Sequence, residues 1–339
     1  MNATELIELA VTAPSADNSQ PWSFRSNLGD LVCSYQHRSA ALDPFGPLGH
    51  GTLMGCGALM ENFCTIQPEA NKSPPHLSVD KSSWNITISE FKKWPEASFE
   101  INQMLHSRHT NRHRFRGLPI AGLPEIPNLA TSRAVTLTSK EAIKEIARAL
   151  TQCSLARFNC QELHEWLFSS LRWTSAEVES GTGLDINTLD LPPGGRHFMH
   201  WIAPWPRIKL LNHFGIARIL AAADASLVRQ APGIIAFIGG TEPLDVVKAG
   251  QLMQRTWLTL NAQGIAAHPY YVLTDIANRF RDERLDTRWR PIVANVMALT
   301  AEILGLEPEE RIHMLLRVGM PTVTPVRSKR LPPSTFLSI

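Results

Sequence analysis

Residues 13–22, Ala13-Pro14-Ser15-Ala16-Asp17-Asn18-Ser19-Gln20-Pro21-Trp22, constrain the fold more tightly than any other stretch of the chain. They follow a short amphipathic run, Thr4 to Val11, and so stand where a helix stops and a strand begins. Pro14 disfavours helix at Ala13 and fixes the chain direction. Ser15, Asp17, Asn18 and Gln20 pack four short polar side chains into six residues. Such a turn can present hydroxyl, amide and carbonyl groups to one flat polar ligand. Pro21 and Trp22 close it with a rigid apolar wall. The plainer alternative is an ordinary polar turn after a helix C-terminus.

Periodicity predicts a strand over Leu31–Tyr35, a Gly- and Pro-bearing loop at 43–51, an apolar helix from about Thr52 to Gln67, and a hairpin through Val79 and Trp84–Phe91. A helix is expected over 97–107, a Pro-rich connection over 116–132 and a strand at Val135–Leu137. Residues 140–180 read as long and helical, and 181–207 as an irregular, lid-like excursion broken by Gly and Pro. A surface loop with its own small apolar cluster explains the excursion equally well. Beyond it come a helix over 208–230, a buried strand Gly233–Ile238, a helix Leu244–Ala262, a strand Ile265–Val272, a helix Val293–Leu304 and a final strand Met314–Val318. Both halves carry the order strand, apolar helix, strand.

With 339 residues, 44% apolar and 19% charged, the chain has an ordinary globular composition. A net charge of +2 argues against a nucleic-acid or membrane partner. Met1–Leu9 carry Glu5 and Glu8 and no basic n-region, and no apolar run approaches a spanning length, so a cytoplasmic protein is expected. Five cysteines without a Cys-x-x-Cys read as reduced thiols.

Residues 106–115 read His106-Ser107-Arg108-His109-Thr110-Asn111-Arg112-His113-Arg114-Phe115. Arg108, Arg112 and Arg114 crowd three guanidinium groups into seven residues with no acid nearby in sequence. A phosphate dianion satisfies such a cluster by charge-assisted hydrogen bonds. A solvated basic surface is the usual fate of a charge run. A metal site is the other alternative, because His106, His109 and His113 share one helical face, but a divalent cation there sits among three arginines. No metal is expected.

Gly49-His50-Gly51-Thr52-Leu53-Met54-Gly55-Cys56-Gly57 lacks the preceding buried strand and the later acid of a dinucleotide fingerprint. Its glycines point to close helix packing. Gly-x-Ser-x-Gly, His-Glu-x-x-His and Walker motifs are absent from the sequence.

Residues 14–22 resemble the Pro-Ser-x-x-Asn-x-Gln-Pro-Trp signature of the nitroreductase superfamily, whose members bind FMN. Arg108, Thr110 and Arg112 resemble that family's Arg-x-Ser/Thr-x-Arg phosphate element. Here this element follows the turn by about 90 residues instead of preceding it, the order of a double-length, Acg-like branch that fuses two nitroreductase-like halves. Gly264–Val272 resembles the family's Gly-Leu/Ile-x-x-x-Pro run at the flavin edge, which places Pro269 and Tyr270 against the ring and a backbone N–H of Tyr271 or Val272 toward N5. Lys329 and Arg330 fall on the basic pair of the closing segment, although Lys329 replaces the arginine expected in the double-length branch.

The resemblance implies an α+β, nitroreductase-like fold of two tandem degenerate halves around mixed sheets. The halves span 1–95 and 96–339, the second carrying the insertion at 181–207. It further implies one FMN site per chain, built from Pro14, Ser15, Asn18 and Gln20 of one half and Arg108, Thr110, Arg112, Pro269, Tyr270, Tyr271, Lys329 and Arg330 of the other. A monomer then suffices, with a homodimer also compatible. NADH or NADPH reduces the flavin and a small-molecule acceptor reoxidises it, by ping-pong hydride transfer through N5. An oxidase or desaturase, a flavin-sequestering protein and a flavin-free binding protein are the alternatives.

Overall fold

The computed structural model describes residues 1–27, 29–37, 45–67 and 74–338. Of the loop expected over 43–51, Asp43 and Pro44 lie outside the described residues. Helix α1 (Ala3–Ala10) is started by a reciprocal cap: the Asn2 side chain accepts from the Glu5 N–H, and the Glu5 carboxylate accepts from the Asn2 N–H. After the 13–21 turn, β1 (Trp22–Asn27) and β2 (Asp30–Tyr35) form an antiparallel pair. Helix α2 (His50–Ile66) precedes β3 (His76–Val79) and β4 (Trp84–Ile88). Helix α3 (Phe99–Ser107) leads through the basic segment to β5 (Arg133–Leu137).

The second half of the chain departs most from its periodicity. The expected helix over 140–180 is α4 (Lys140–Phe158) and α5 (Gln161–Ser170), separated at Cys160, whose backbone is extended. Leu171–Arg172 (β6) then leaves the helix to pair with Leu184–Asp185 (β7), with a short α6 (Ser175–Glu179) between them. The excursion at 181–207 is not wholly irregular: it contains α7 (Gly195–Ile202) and the start of α8 (Trp205–Asn212). The helix expected over 208–230 is divided into α8 and α9 (Ile216–Arg229) at Gly215, whose φ of 87° interrupts the helical turn.

β8 (Gly233–Gly239), α10 (Pro243–Ala262), β9 (Ala266–Tyr270), α11 (Val272–Arg281), α12 (Arg290–Leu304), β10 (Arg311–Gly319) and β11 (Leu337–Ser338) complete the chain. The strand expected through Val272 ends at Tyr270, because Tyr270 opposite Leu315 is the last pair of the β9–β10 ladder. The backbone then turns into α11, with Asp275 in its first turn and Arg279 and Arg281 in its last, charges that suit the helix dipole.

The architecture is a mixed α/β fold with largely antiparallel sheets. Beside the two-stranded β6-β7 pair, the first large sheet has the order β11-β1-β2-β4-β3 and the second β5-β8-β10-β9. All pairs in the second are antiparallel. In the first, β11 joins β1 in parallel, so the end of the described chain returns to a sheet built from its beginning. The inner strand β8 is buried along its whole length. Its side chains alternate: Ile235 and Phe237 enter a core with α1, α2, α10 and the first sheet, while Ile234, Ala236 and Ile238 enter a second core with α4, α9, α11 and α12.

Helices α2 and α10 cross at backbone contact. A Cβ on Gly57 would lie 2.1 Å from the Val247 carbonyl oxygen, and one on Gly250 would lie 2.3 Å from that of Met54. The Gly-spaced motif therefore serves helix packing, as its lack of a preceding strand suggested. Among the described residues no helix is long and apolar enough to cross a membrane.

Candidate functional site

The basic segment is held by the helix that crosses beneath it. Trp257 Nε1, on α10, donates to the His109 carbonyl at 3.1 Å, and Asn261 Oδ1 accepts from the His109 N–H at 2.9 Å. The Asn111 N–H donates to the Ala267 carbonyl at 2.9 Å, and Thr110 bridges in parallel to Ala267. Arg317 is buried over the Phe115 ring at 4.0 Å and donates to the carbonyls of Asn111 and His113. Helix α3 ends at Ser107, so His106, His109 and His113 do not share a helical face. His113 instead pairs with Asp190 at 2.8 Å. Among the described residues no cluster of three His, Cys, Asp or Glu able to hold a metal is found.

The turn at 15–20 stores backbone strain. Asp17, Asn18 and Gln20 adopt φ values of 43°, 59° and 51°, each costing on the order of 1 kcal/mol or more. Surrounding contacts impose it. Asn18 Nδ2 donates to the carbonyls of Gly181, Gly183 and Lys329 at 3.3, 3.1 and 2.8 Å. Gln20 Nε2 donates to the Gly181 carbonyl at 2.8 Å, and its Oε1 accepts from the Leu331 N–H at 3.2 Å. Ser15 Oγ accepts from the Gln20 N–H at 2.9 Å. These amides clamp two distant loops onto the turn.

A cavity of about 1170 Å³ joins the turn to the basic segment. Pro14, Ser15 and Asn18 line it, as do Arg108, Thr110, Arg112, Pro269, Tyr270, Tyr271 and Arg330. Gln20 and Lys329 are not among its lining residues. Gln20 is fully buried behind the turn, and Lys329 Nζ pairs outward with Glu179. Met54, Gly55, Met253 and Trp257 add an apolar wall from the crossing of α2 and α10. Leu184, Thr188–Pro193 and Met199 of the 181–207 excursion also border it.

Six arginines and four aspartates line the cavity, and three of the arginines gather at one end of it. Arg108 gives Nε and Nη2 to the Thr12 carbonyl at 3.4 and 3.1 Å and lays its guanidinium over Trp257 at 4.7 Å. Burial pushes its pKa well down, and Arg330 and Arg327 push it further. Arg330 Nη1 donates to the carbonyls of Val11 and Ala13 at 2.7 and 2.8 Å, and burial lowers it to about 10. Burial also lowers Arg112, with Asp17 and Tyr270 opposing. Among the described residues none of these three forms an ion pair within 4.0 Å. Cations desolvated without a paired acid favour an anionic ligand. At the far end, α11 starts at the cavity wall: its first intrahelical bond from this end is the Asp275 N–H to the Tyr271 carbonyl at 2.9 Å. The N–H groups of its first turn are thus left for a ligand or water.

Sequence reasoning counted Asp17 among the polar groups of the turn without assigning it to the site, and missed Arg157 and Trp257. Asp17 lines the cavity, and burial raises its pKa while Arg157, Ser170 and Arg112 oppose. Arg157 belongs to the amphipathic pattern of α4, and nothing in that pattern marks it as facing a cavity.

No protein-family model matches the chain. It is 24% identical over 276 residues to an uncharacterized protein, MT1398, of Mycobacterium tuberculosis (strain CDC 1551 / Oshkosh), a match taking in 77% of this chain and 38% of that protein. The chain thus spans little more than a third of that curated relative's length. Among solved structures it is similar to the FMN-dependent nitroreductase NfnB from Mycobacterium smegmatis in complex with NADPH, at 17% identity and a TM-score of 0.38, over 71% of this chain and 97% of that one. A nitroreductase with bound FMN from Desulfitobacterium hafniense DCB-2 matches at 13% identity and a TM-score of 0.37, over 71% and 98%. Oxidized iodotyrosine deiodinase bound to FMN and 3-iodo-L-tyrosine matches at 12% and 0.35, over 68% and 94%. At these scores the likenesses carry no weight for the site, whose chemistry is read from its own residues.

Proposed function

We propose that the chain is an FMN-dependent oxidoreductase of the nitroreductase type, built as two fused halves, 1–95 and 96–339, that share one flavin site. The observation that carries this reading is the convergence of Arg108, Arg112 and Arg330, all without ion pairs among the described residues, with the strained 14–18 turn around one cavity of about 1170 Å³. Pockets for drug-sized ligands run to roughly 300–1,000 Å³, so the volume accommodates a flavin mononucleotide together with a second small molecule.

Arg108, Thr110, Arg112 and Arg330 hold the phosphate. Pro269, Tyr270 and the N-terminus of α11 border the ring edge, and Met54 with Met253 supply apolar wall. Bound there, the flavin supplies hydride transfer through N5, with NADH or NADPH as reductant. The side chains orient both reactants and exclude water. Asn18, Gln20 and Lys329 act one step removed: the two amides hold the 181–183 and 329–331 segments, the second of which carries Arg330. An absorption spectrum of purified protein, followed by anaerobic titration with NADPH, tests the reading. Flavin absorbance that NADPH bleaches is expected. A colourless protein that ignores added FMN overturns it.

The bordering residues Leu184, Thr188–Pro193 and Met199 favour a second reading, in which the 181–207 segment shuts the flavin away and turnover is slight. Bound flavin that neither NADH nor NADPH bleaches selects it.

A further inference from the structure

Residues 191–223 contain no aspartate or glutamate, yet they carry Arg196, Arg207, Lys209 and Arg218. All four are exposed, and among the described residues none forms an ion pair within 4.0 Å. The acids of α5, which packs against α8, are engaged elsewhere. Glu162 pairs with Arg279 and Arg284, and Glu165 accepts from Gln161 Nε2. The net charge of +2, which spoke against a membrane partner, is an average over the chain and conceals this basic run.

The same segment is apolar on its outside. Among the described residues eleven large apolar side chains are exposed by 36% or more, and five of them, Phe198, Trp201, Leu210, Phe214 and Ile219, fall within 198–219. Scattered singly such residues need no explanation, but gathered they mark a surface that meets something apolar. The local folding puts them there. Helix α8 buries Ile208, and two residues of helical rotation carry Leu210 to the opposite side. Helix α9 buries Ala217, Ala221, Ala225 and Val228, which leaves Ile219 on its outer face. Phe198 and Trp201 lie with ring centroids 6.3 Å apart, and Arg207 Nη1 donates to the Trp201 carbonyl at 2.9 Å, tying α7 to α8. Pro192, Pro193 and Ala223 are exposed and also line the cavity, so its mouth borders this face.

We propose that the face formed by residues 195–219 docks on membranes bearing anionic lipid, with the cavity mouth at its edge. Exposed aromatic and aliphatic side chains interleaved with unpaired Arg and Lys suit such a surface. The apolar groups enter the boundary between headgroups and acyl chains, and the cations stay at the lipid phosphates. The contact is peripheral, because α7 and α8 are far shorter than a bilayer is thick. A second copy of the chain fits less well, since a two-fold contact sets this acid-free basic face against itself. A nucleic acid would meet the cations through its phosphates but leave Leu210, Phe214 and Ile219 uncovered. Each Arg or Lys at an anionic surface is worth roughly a 5-fold gain in partitioning.

The test is sedimentation of the full chain with phosphatidylglycerol vesicles and, separately, with phosphatidylcholine vesicles. Binding to phosphatidylglycerol is expected, with much weaker binding to phosphatidylcholine. It should weaken from about 0.1 M to about 1 M salt, as the Debye length falls from about 10 Å to about 3 Å. Neutralising two cations in Lys209→Gln/Arg218→Gln is expected to weaken binding about 30-fold, the product of two 5-fold terms. Leu210→Ser/Phe214→Ser, which keeps every charge, is expected to weaken it by at least about 10-fold. Hydrogen exchange of the wild type locates the contact without any variant: added phosphatidylglycerol vesicles should slow exchange within 195–219. Equal binding to both lipids, no binding to either, or slowed exchange confined to other segments overturns the proposal. So does binding that the Leu210→Ser/Phe214→Ser change leaves intact, which would mark a purely ionic contact of the kind a nucleic acid also makes. A dimer in analytical ultracentrifugation that the same double change dissociates also overturns it, by showing that a second copy covers the face. The outcome does not depend on whether the chain binds flavin.

Discussion

Replacing Arg108 by methionine tests the anion-binding reading through two effects of opposite sign. In the unliganded protein, Arg108 bonds the Thr12 carbonyl and covers Trp257, but its charge is buried near Arg330 and Arg327. Removing the guanidinium loses a hydrogen bond of ~1 kcal/mol and a cation–π contact of ~1 kcal/mol. It also relieves the desolvation of a cation, which costs several kcal/mol. Methionine keeps the apolar contact with Trp257. The flavin-stripped variant is therefore expected to melt no lower than the stripped wild type. With ligand the sign reverses. A charge-assisted contact to phosphate is worth about 1.5–3 kcal/mol, a factor of roughly 10–150 in affinity. Parallel fluorescence titrations with FMN and with riboflavin, which lacks the phosphate, separate this from ring contacts. FMN is expected to weaken by that factor and riboflavin to stay unchanged. Equal weakening of both refutes the phosphate assignment. A marked drop in melting temperature of the stripped variant refutes the claim that the unliganded charge is a burden.

Asn18→Ala removes the donor shared by the carbonyls of Gly181, Gly183 and Lys329, of which Gly181 keeps Gln20 Nε2. A local loss of about 1–3 kcal/mol is expected, read as faster amide exchange and proteolysis around 181–183, and unchanged exchange there counts against the clamp. Gly250→Val drives a side chain to 2.3 Å from the Met54 carbonyl oxygen. Urea unfolding should show a loss of at least about 3 kcal/mol, the upper end for overpacking. The Arg133–Glu310 pair, with contacts at 2.8 and 2.6 Å, holds the Glu310 carboxyl below its ordinary value through Arg133. A depressed folded pKa means that stabilisation is complete above the unfolded value of about 4.3 and is lost as pH falls through the folded value. Glu310→Gln should therefore lower the melting temperature at pH 7 and leave it nearly unchanged at pH 3, and equal shifts at both would exclude the linkage.

Much of the fold was legible where local rules decide it. The Asn2–Glu5 cap starts α1, and Pro14 ends the helical run. The unbroken apolar run at 233–238 announced a strand buried on both faces, and the Gly-spaced run in α2 announced a close helix crossing. The breaks at Cys160 and Gly215 and the change from strand to helix at Tyr271 were not legible. They depend on where a neighbouring strand or helix stops offering partners.

The candidate site divides along the same line. The chain by itself determined that 13–22 is a polar turn with a rigid end and that three arginines crowd into seven residues, with an anion or solvent equally able to meet them. Only the tertiary structure decided which groups meet. It spent the Asn18 and Gln20 amides on backbone carbonyls and an N–H from loops more than 150 residues away in sequence. It turned Lys329 outward to Glu179 and Arg330 inward, and it stacked His50 on His313 behind Tyr271. The reason is physical: propensity, capping and periodicity act over a few residues, whereas desolvating a guanidinium or satisfying a buried amide depends on atoms that only folding brings within about 3 Å.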